Sequence, residues 1–271
     1  MITRFLFTEE EVNFPAEWDK ELTKYFKGSK RKESVAKGSG TIKATEGKLG
    51  FTFSTFRFIA KVSLATNVAW LVEKQVLFQR ADQFAHLFLV LTWNLMCRGE
   101  NTQKLCYSHM AWLEDAVGVV LPHTKGDQVG DRASTQDPRH IYANPFKPEI
   151  CPILALGLYF LCHTEREDAS DALFPGGQQA ARFGTLLRAE LRKSSVVAQL
   201  AVHGVKPGDL GTHSLRKGAS TFVSSGSTAG PSITSICLRC GWSIGGVQDR
   251  YIRYERCGDE FCGRCVAGLG M

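Results

Sequence analysis

Apolar residues recur at helical spacing along most of the chain, whereas short alternating runs are few. The apolar stretches predict helices over residues 51–72, 79–97, 148–162, 178–193, 214–223, 232–240 and 247–254. Short strands are expected over residues 110–113, 117–121 and 139–142, with an exposed loop over 126–138. Because the strands do not alternate with helices, a doubly wound parallel sheet is disfavoured. The pattern predicts a mainly α-helical domain with a small antiparallel β-sheet, an α+β fold.

The first fifty residues differ from the rest in composition and in apolar pattern. A helix is predicted from Pro15, with the apolar residues of Trp18–Phe26 on one face. From Lys27 to Gly50, Ser, Gly and Lys dominate, which predicts a flexible basic linker. We therefore divide the chain into a short helix and linker over residues 1–50, a main domain over 51–256, and a cysteine-containing C-terminal tail over 257–271.

The composition is mildly basic. Lys and Arg number 33 against 27 Asp and Glu, a net charge of +6, which is compatible with a polyanionic partner but does not require one. The basic run Lys30, Arg31 and Lys32 fits a solvated connector, a nuclear-import signal or an arm that contacts phosphates. The apolar runs are too short for a membrane span, and the start lacks the pattern of a secretory signal. The odd number of cysteines, nine, favours a reducing compartment.

Motifs of several enzyme classes are missing from the sequence. There is no GxxxxGK[ST] phosphate loop, no dinucleotide fingerprint and no HExxH, and the carboxylates do not cluster as two-metal nucleases require. We therefore expect no nucleotide, metal or other cofactor. Any chemistry must come from Arg, Lys, His, Tyr or Cys.

Two short segments carry a combination of such residues. His213 and Arg216 are three residues apart at a predicted helix start, where backbone donors favour an anion. A guanidinium binds two phosphate oxygens at once, and a neighbouring imidazole can transfer a proton. Trp242 follows His213 by twenty-nine residues, and Tyr251 follows Trp242 by nine.

This arrangement resembles the tyrosine recombinase (phage integrase) superfamily, in which HxxR precedes a His or Trp and then a nucleophilic Tyr. Arg98 ends an apolar helix, and Lys125 follows it by twenty-seven residues, as the first catalytic Arg and the hairpin Lys do in that family. The resemblance covers roughly residues 51–254 and implies an integrase-like catalytic domain over 51–256. The amino-acid sequences of residues 212–219 and 251–255 are most similar to those of eukaryotic Crypton-type mobile elements. This resemblance implies DNA integration or recombination in the nucleus.

The resemblance assigns roles around a DNA phosphate. Arg98 and Arg216 would hold the non-bridging oxygens, and Trp242 would donate its indole N–H. Tyr251 would attack the phosphorus to give a 3′-phosphotyrosyl link. Tyr254, one turn further on, is a competing nucleophile, and the nine-residue spacing favours Tyr251.

The resemblance also implies the proton carriers and the partners. His213 would be the general base and Lys125 the general acid. Lys217 joins the Lys30–Lys32 run as a candidate DNA-binding residue. The implied partner is double-stranded DNA, bound by a homotetramer, with no membrane and no nucleotide cofactor.

The chain departs from the family pattern at three places. Asn101 stands where the family usually has Glu or Asp. The region before residue 51 is shorter than a core-binding domain, and the chain ends about twenty residues after Tyr251, which predicts a truncated copy. A catalytically impaired DNA-binding descendant and a type IB topoisomerase-like enzyme are therefore the alternatives.

A zinc-stabilised interaction module is a further alternative. Its candidate ligands form two CxxC pairs, Cys237 with Cys240 and Cys262 with Cys265. The first pair lies on a predicted apolar helix, where cysteines are ordinarily buried apolar residues. We therefore expect no metal at these positions.

Overall fold

The computed structural model describes residues 16–39, 47–73, 80–121, 137–162, 171–244 and 254–270. The chain forms two units, Met1–Gly47 and Lys48–Met271. None of the described helices is long and apolar enough to cross a membrane.

The first unit contains one described helix, α1 (Ala16–Gly38). It extends twelve residues beyond the predicted apolar segment, so the residues from Lys27 to Gly38 are helical where a flexible linker was predicted. Lys, Arg, Glu and Ala are good helix formers, and they outweigh the cost of about 1 kcal/mol that Gly28 imposes. The Lys30–Lys32 side chains are exposed on this helix.

The second unit is mainly helical. Its helices and strands, in chain order, are α2 (Phe53–Glu73), α3 (Arg80–Asn94), α4 (Gly99–Gln103), β1 (Met110–Leu113), β2 (Ala116–Val119), β3 (Arg139–Ile141), α5 (Pro152–Cys162), α6 (Gln179–Leu191), α7 (Ser194–Val202), α8 (Thr212–Ser225), α9 (Ile233–Cys240) and α10 (Arg256–Val266). Short 3₁₀ turns cover Tyr107–His109, Pro148–Ile150 and Pro207–Asp209.

The predicted mainly helical fold with a small antiparallel sheet is confirmed. The strands have the order β1-β2-β3, with Met110 opposite Val119 and Val117 opposite Ile141. The turn between β1 and β2 falls at Glu114, which has a φ of 46°. Most of the predicted loop over 126–138 and most of the predicted helix over 247–254 lie outside the described residues.

Three of the described helices were not predicted: the five-residue α4 and the longer α7 and α10. The sequence of α7 starts with Ser194-Ser195-Val196-Val197, which has weak helix propensity, and α10 contains two glycines and three cysteines. Tertiary packing stabilises both, because the buried residues of each helix lie on one face. Residues 257–270 of the predicted tail thus include a helix of the second unit.

Helix α3 forms the centre of the core. The Trp93 ring stacks on Phe56 of α2 at a centroid distance of 4.1 Å, and Phe88 stacks on Phe183 of α6 at 4.5 Å. Phe53 stacks on Phe222 of α8 at 4.3 Å. These contacts fix the direction in which the chain leaves α3 toward Arg98.

The C-terminal helix packs within the second unit. Trp93 Nε1 donates a hydrogen bond of 3.1 Å to the Val266 carbonyl, and Asn144 Nδ2 donates one of 2.8 Å to the Ala267 carbonyl. Gly263 lies so close to the His140 carbonyl that a Cβ there would overlap it. The absence of that side chain lets α10 lie directly against β3.

Candidate functional site

Helix α8 begins at a turn that presents His213 to solvent. The Ser214 Oγ accepts a hydrogen bond of 3.0 Å from the Gly211 N–H, which satisfies a backbone donor before the helix. His213 is exposed, whereas Arg216, one turn later, is buried. Lys217 is exposed, and its Nζ donates to the Lys48 carbonyl at 3.3 Å.

Arg216 is held in place by contacts with the neighbouring helix, α9. Its Nη2 donates to the Cys240 carbonyl at 2.5 Å, and its guanidinium lies 5.3 Å from the centre of the Trp242 ring. Gly241 adopts a left-handed conformation (φ 63°), and the Trp242 N–H donates to the Cys237 carbonyl at 2.8 Å. This Schellman-type end of α9 turns the chain so that Trp242, 40% exposed, covers Arg216.

The positive charge of Arg98 acts on Arg216. It is the residue that precedes α4, and its carbonyl accepts the Asn101 and Thr102 N–H groups. Burial lowers the pKa of the Arg216 guanidinium, and the positive charge of Arg98 lowers it further. Within the described part of the chain, neither guanidinium belongs to an ion pair with a carboxylate.

The buried thiols beside Arg216 do not supply the missing negative charge. Burial raises the pKa of Cys240 to about 11, and burial also raises the pKa of Cys97, so both are neutral thiols near pH 7. A buried guanidinium whose pKa is lowered by a second positive charge, and which has no carboxylate partner among the described residues, is costly unless an anion binds. Arg98, Arg216 and the Trp242 indole therefore form a candidate anion-binding site.

The other predicted site residues stand as follows. Lys125 and Tyr251 lie outside the described residues. Tyr254, the competing nucleophile, donates its hydroxyl to the Pro138 carbonyl at 3.1 Å, and burial raises its pKa well above the usual value. A phenol that is so held and so hard to ionise is poorly suited to attack a phosphate. The predicted DNA-binding residues Lys30–Lys32 belong to the first unit.

The cysteines of the two CxxC pairs are all described, and each is a free thiol. Burial raises the pKa of Cys262 to about 12, the opposite of what a metal thiolate needs. Over the residues for which the structure gives positions, no group of three or more His, Cys, Asp or Glu side chains is arranged to hold a metal ion.

Two buried arginines close to this site were not singled out from the sequence. Arg139 on β3 donates to the Leu95 carbonyl at 3.4 Å, and burial lowers its pKa. Arg239 on α9 is fully buried and pairs with Asp259 at 2.5 Å. The sequence did contain a signal, because Arg239 falls on the same helical stripe as Ile236 and Cys240, where an apolar residue is expected.

Comparisons with known proteins give matches only among solved structures. No family model matches the chain, and no curated protein matches it. A structure of the XerH site-specific recombinase bound to difH substrate has 13% identity and a TM-score of 0.46, over 79% of this chain and 53% of that one. An FLP recombinase–Holliday junction complex has 12% identity and a TM-score of 0.45, over 90% and 55%. A mutant Flpe–DNA Holliday junction complex has 10% identity and a TM-score of 0.48, over 90% and 56%.

The chain spans about half the length of each of these structures. At such identities and TM-scores, the activity has to be argued from the chain's own residues.

Proposed function

We propose that the chain is a DNA strand transferase of the tyrosine recombinase type, which breaks and rejoins DNA through a 3′-phosphotyrosyl intermediate. The observation that carries the proposal is the buried Arg216 guanidinium, which the Cys240 carbonyl holds 5.3 Å from the centre of the half-exposed Trp242 ring. The positive charge of Arg98 also lowers the pKa of Arg216. A phosphodiester is an anion that guanidinium groups suit, because their N–H groups match its two non-bridging oxygens.

The geometry also suits a transition state. Arg216 is fixed by the Cys240 carbonyl before any ligand binds, so no reorganisation is needed when charge develops on the phosphoryl oxygens. His213 lies one helical turn away and is open to solvent, where a DNA strand could approach it. Removal of one such preorganised donor typically costs 10²–10³ in rate, about 3–4 kcal/mol.

In the proposed reaction, the phenolic oxygen of Tyr251 attacks the phosphorus, and the bond from phosphorus to the 5′ oxygen breaks. The phenolic proton passes to His213, and Lys125 donates a proton to the leaving 5′ oxygen. One phosphoester bond replaces another, so attack by a 5′-hydroxyl on the phosphotyrosine reverses the step. The chemistry consumes no nucleotide.

The finer parts of the proposal follow from the sequence motifs. We infer that the substrate is double-stranded DNA, that four copies assemble on it, and that the chain belongs to a eukaryotic mobile element of the Crypton type and acts in the nucleus. The exposed Lys30–Lys32 run of α1 and the exposed Lys217 would contact DNA phosphates.

The test is covalent trapping. We would incubate the purified chain with a pool of nicked duplexes with a randomised central segment, in which the cleaved end diffuses away and leaves the adduct trapped. SDS-resistant protein–DNA adducts are expected, and Tyr251→Phe should abolish them. Tyr254→Phe is the matched control and should form adducts at the wild-type level, because the Tyr254 hydroxyl only donates to a backbone carbonyl.

The outcomes separate the alternatives. DNA binding without adducts across the whole pool would refute the enzyme and leave the DNA-binding descendant. Relaxation of supercoiled plasmid by a monomer, without exchange between two sites, would favour the topoisomerase-like enzyme. Adducts that survive Tyr251→Phe and disappear with Tyr254→Phe would show that Tyr254, and not Tyr251, is the nucleophile.

A further inference from the structure

The buried Arg239 side chain joins three separate segments of the second unit. Its Nη1 donates to the Asp259 Oδ1 at 2.5 Å and to the Asp259 carbonyl at 3.1 Å. Its Nη2 donates to the Asn94 carbonyl at 2.9 Å and to the His140 carbonyl at 2.8 Å. One guanidinium on α9 is therefore bonded to the end of α3, to β3 and to α10.

The Asp259 carboxylate completes this network. Its Oδ2 accepts the His140 backbone N–H at 2.8 Å and lies 2.9 Å from the His140 Nδ1. Burial alone would raise the pKa of Asp259, but the Arg239 charge and the hydrogen bonds from His140 and Arg239 hold it below its usual value. Asp259 is thus ionised and ties β3 to α10 beside the arginine.

Two segments of this network, the end of α3 and α9 itself, lead directly to a residue of the candidate site. Asn94 ends α3 four residues before Arg98. Cys240, the residue after Arg239, supplies the carbonyl that holds Arg216.

Stability is a poor explanation for such a pair. Removing two charges from water costs several kcal/mol each, and apolar residues of similar volume often serve stability as well or better. The Arg239 Nε is also buried, and no atom of the described residues accepts a hydrogen bond from it. Beyond apolar packing, the pair supplies directional hydrogen bonds, because the planar guanidinium and the carboxylate bond to several backbone segments at once.

We propose that Arg239, paired with Asp259, is a positioning residue that aligns Arg98 and Arg216 for strand cleavage. The inference rests on the proposed function, because it assigns the network to that reaction. Arg239 does not touch DNA; it acts through the backbone segments that carry the reacting groups.

The main test variant is Arg239→Lys. Lysine keeps the buried positive charge beside Asp259 but cannot donate from a rigid fork to the Asn94 and His140 carbonyls as well. On a nicked duplex recovered from the pool, single-turnover adduct formation should slow by about a hundredfold, the effect expected of a misplacement near 1 Å. The dissociation constant for the same duplex should stay within about twofold, because the exposed basic residues are unchanged. All rates are measured below the onset of thermal unfolding.

A second variant covers the case in which Arg239→Lys does not fold. The double variant Arg239→Met/Asp259→Val replaces the ion pair by apolar side chains, which buried sites often tolerate. It should give the same slow cleavage with unchanged DNA affinity. Arg256→Gln is the matched control on α10, since Arg256 is exposed and its ion pair with Glu260 (2.7 Å) lies at the surface; it should cleave at the wild-type rate.

The inference and the proposed function fail in different ways. If the wild-type chain forms no adduct, the proposed function is wrong. If the wild type forms adducts and a folded Arg239 variant reacts at the same rate, the positioning role is overturned. A parallel loss of DNA affinity and rate would also overturn it, because that result indicates general structural damage rather than misalignment of the cleavage step.

Discussion

Gly218 allows the entry segment of the second unit to lie directly on α8. A Cβ at this position would overlap the Phe51 carbonyl oxygen and would lie 2.8 Å from the Phe51 nitrogen. These are backbone atoms, so no side-chain rotation can relieve the overlap. The Phe51 N–H donates to the Ser214 carbonyl at 3.0 Å, and the Phe51 side chain is only 2% exposed. We therefore predict that Gly218→Ala pushes residues 48–52 away from α8.

The magnitude can be worked from these contacts. Overpacking of this kind costs about 1–3 kcal/mol, and loss of the Phe51–Ser214 hydrogen bond costs about 1 kcal/mol more. Alanine in a helix regains about 1 kcal/mol relative to glycine. The free energy of unfolding should therefore fall by about 1–3 kcal/mol in Gly218→Ala.

Urea denaturation followed by near-UV circular dichroism measures this change. Gly184→Ala on α6 is the matched control, because Gly184 is also buried in a helix but a Cβ there would meet its nearest atom at an ordinary 3.5 Å. That variant should gain up to about 1 kcal/mol. If the two variants shift stability in the same direction, or if Gly218→Ala is as stable as the wild type, the steric account of the entry segment is wrong.

Two further predictions concern the core around α3. Burial lowers the pKa of His86 to about 4, so the unfolded state takes up the proton first and stability falls as the pH drops from about 6.5 to about 4. Between about pH 7 and pH 5 the wild type should lose about 2 kcal/mol more than His86→Gln in urea titrations, and equal losses would contradict this. Trp93→Phe removes the donor to the Val266 carbonyl and should cost about 1–3 kcal/mol, whereas Trp112→Phe, at a 68% exposed position, should change the midpoint little. A normal midpoint for Trp93→Phe would indicate that α10 is held by other contacts.

Local pattern was enough to predict most of the fold. The stretch that became α3 is apolar at nine of its fifteen positions, and from Gln83 to Asn94 every residue except Ala85 is buried. The strands on either side of Glu114 also follow from the short apolar runs and the turn residues. The predicted end of α1 was wrong, because clustered Lys and Gly suggested a linker. The helix propensity of the Lys, Arg and Ala residues extends the helix to Gly38.

Some features of the candidate site can be predicted from local sequence, whereas others depend on contacts between distant segments. Spacing along the chain selected Arg98, Arg216 and Trp242. In the structure the Arg216 guanidinium lies 5.3 Å from the centre of the Trp242 ring, and the charge of Arg98 lowers the pKa of Arg216. Spacing along the chain could not identify the Cys240 carbonyl as the partner of Arg216, because that contact depends on how α9 packs against α8. Lys125 and Tyr251 stay predictions.

Arg239 illustrates why residues that organise a site are harder to predict than residues that react. A reacting residue belongs to a motif, since the chemistry fixes its type and its distance along the chain from the next reacting residue. Arg239 has partners at Asn94, His140 and Asp259, which lie 145, 99 and 20 residues away along the chain. No local periodicity encodes such a set, and the only local trace is a charge on an otherwise buried helical stripe. A charged residue at an apolar position should therefore be examined as a candidate junction between distant segments, and the rate-against-affinity test on Arg239 decides whether that reasoning holds here.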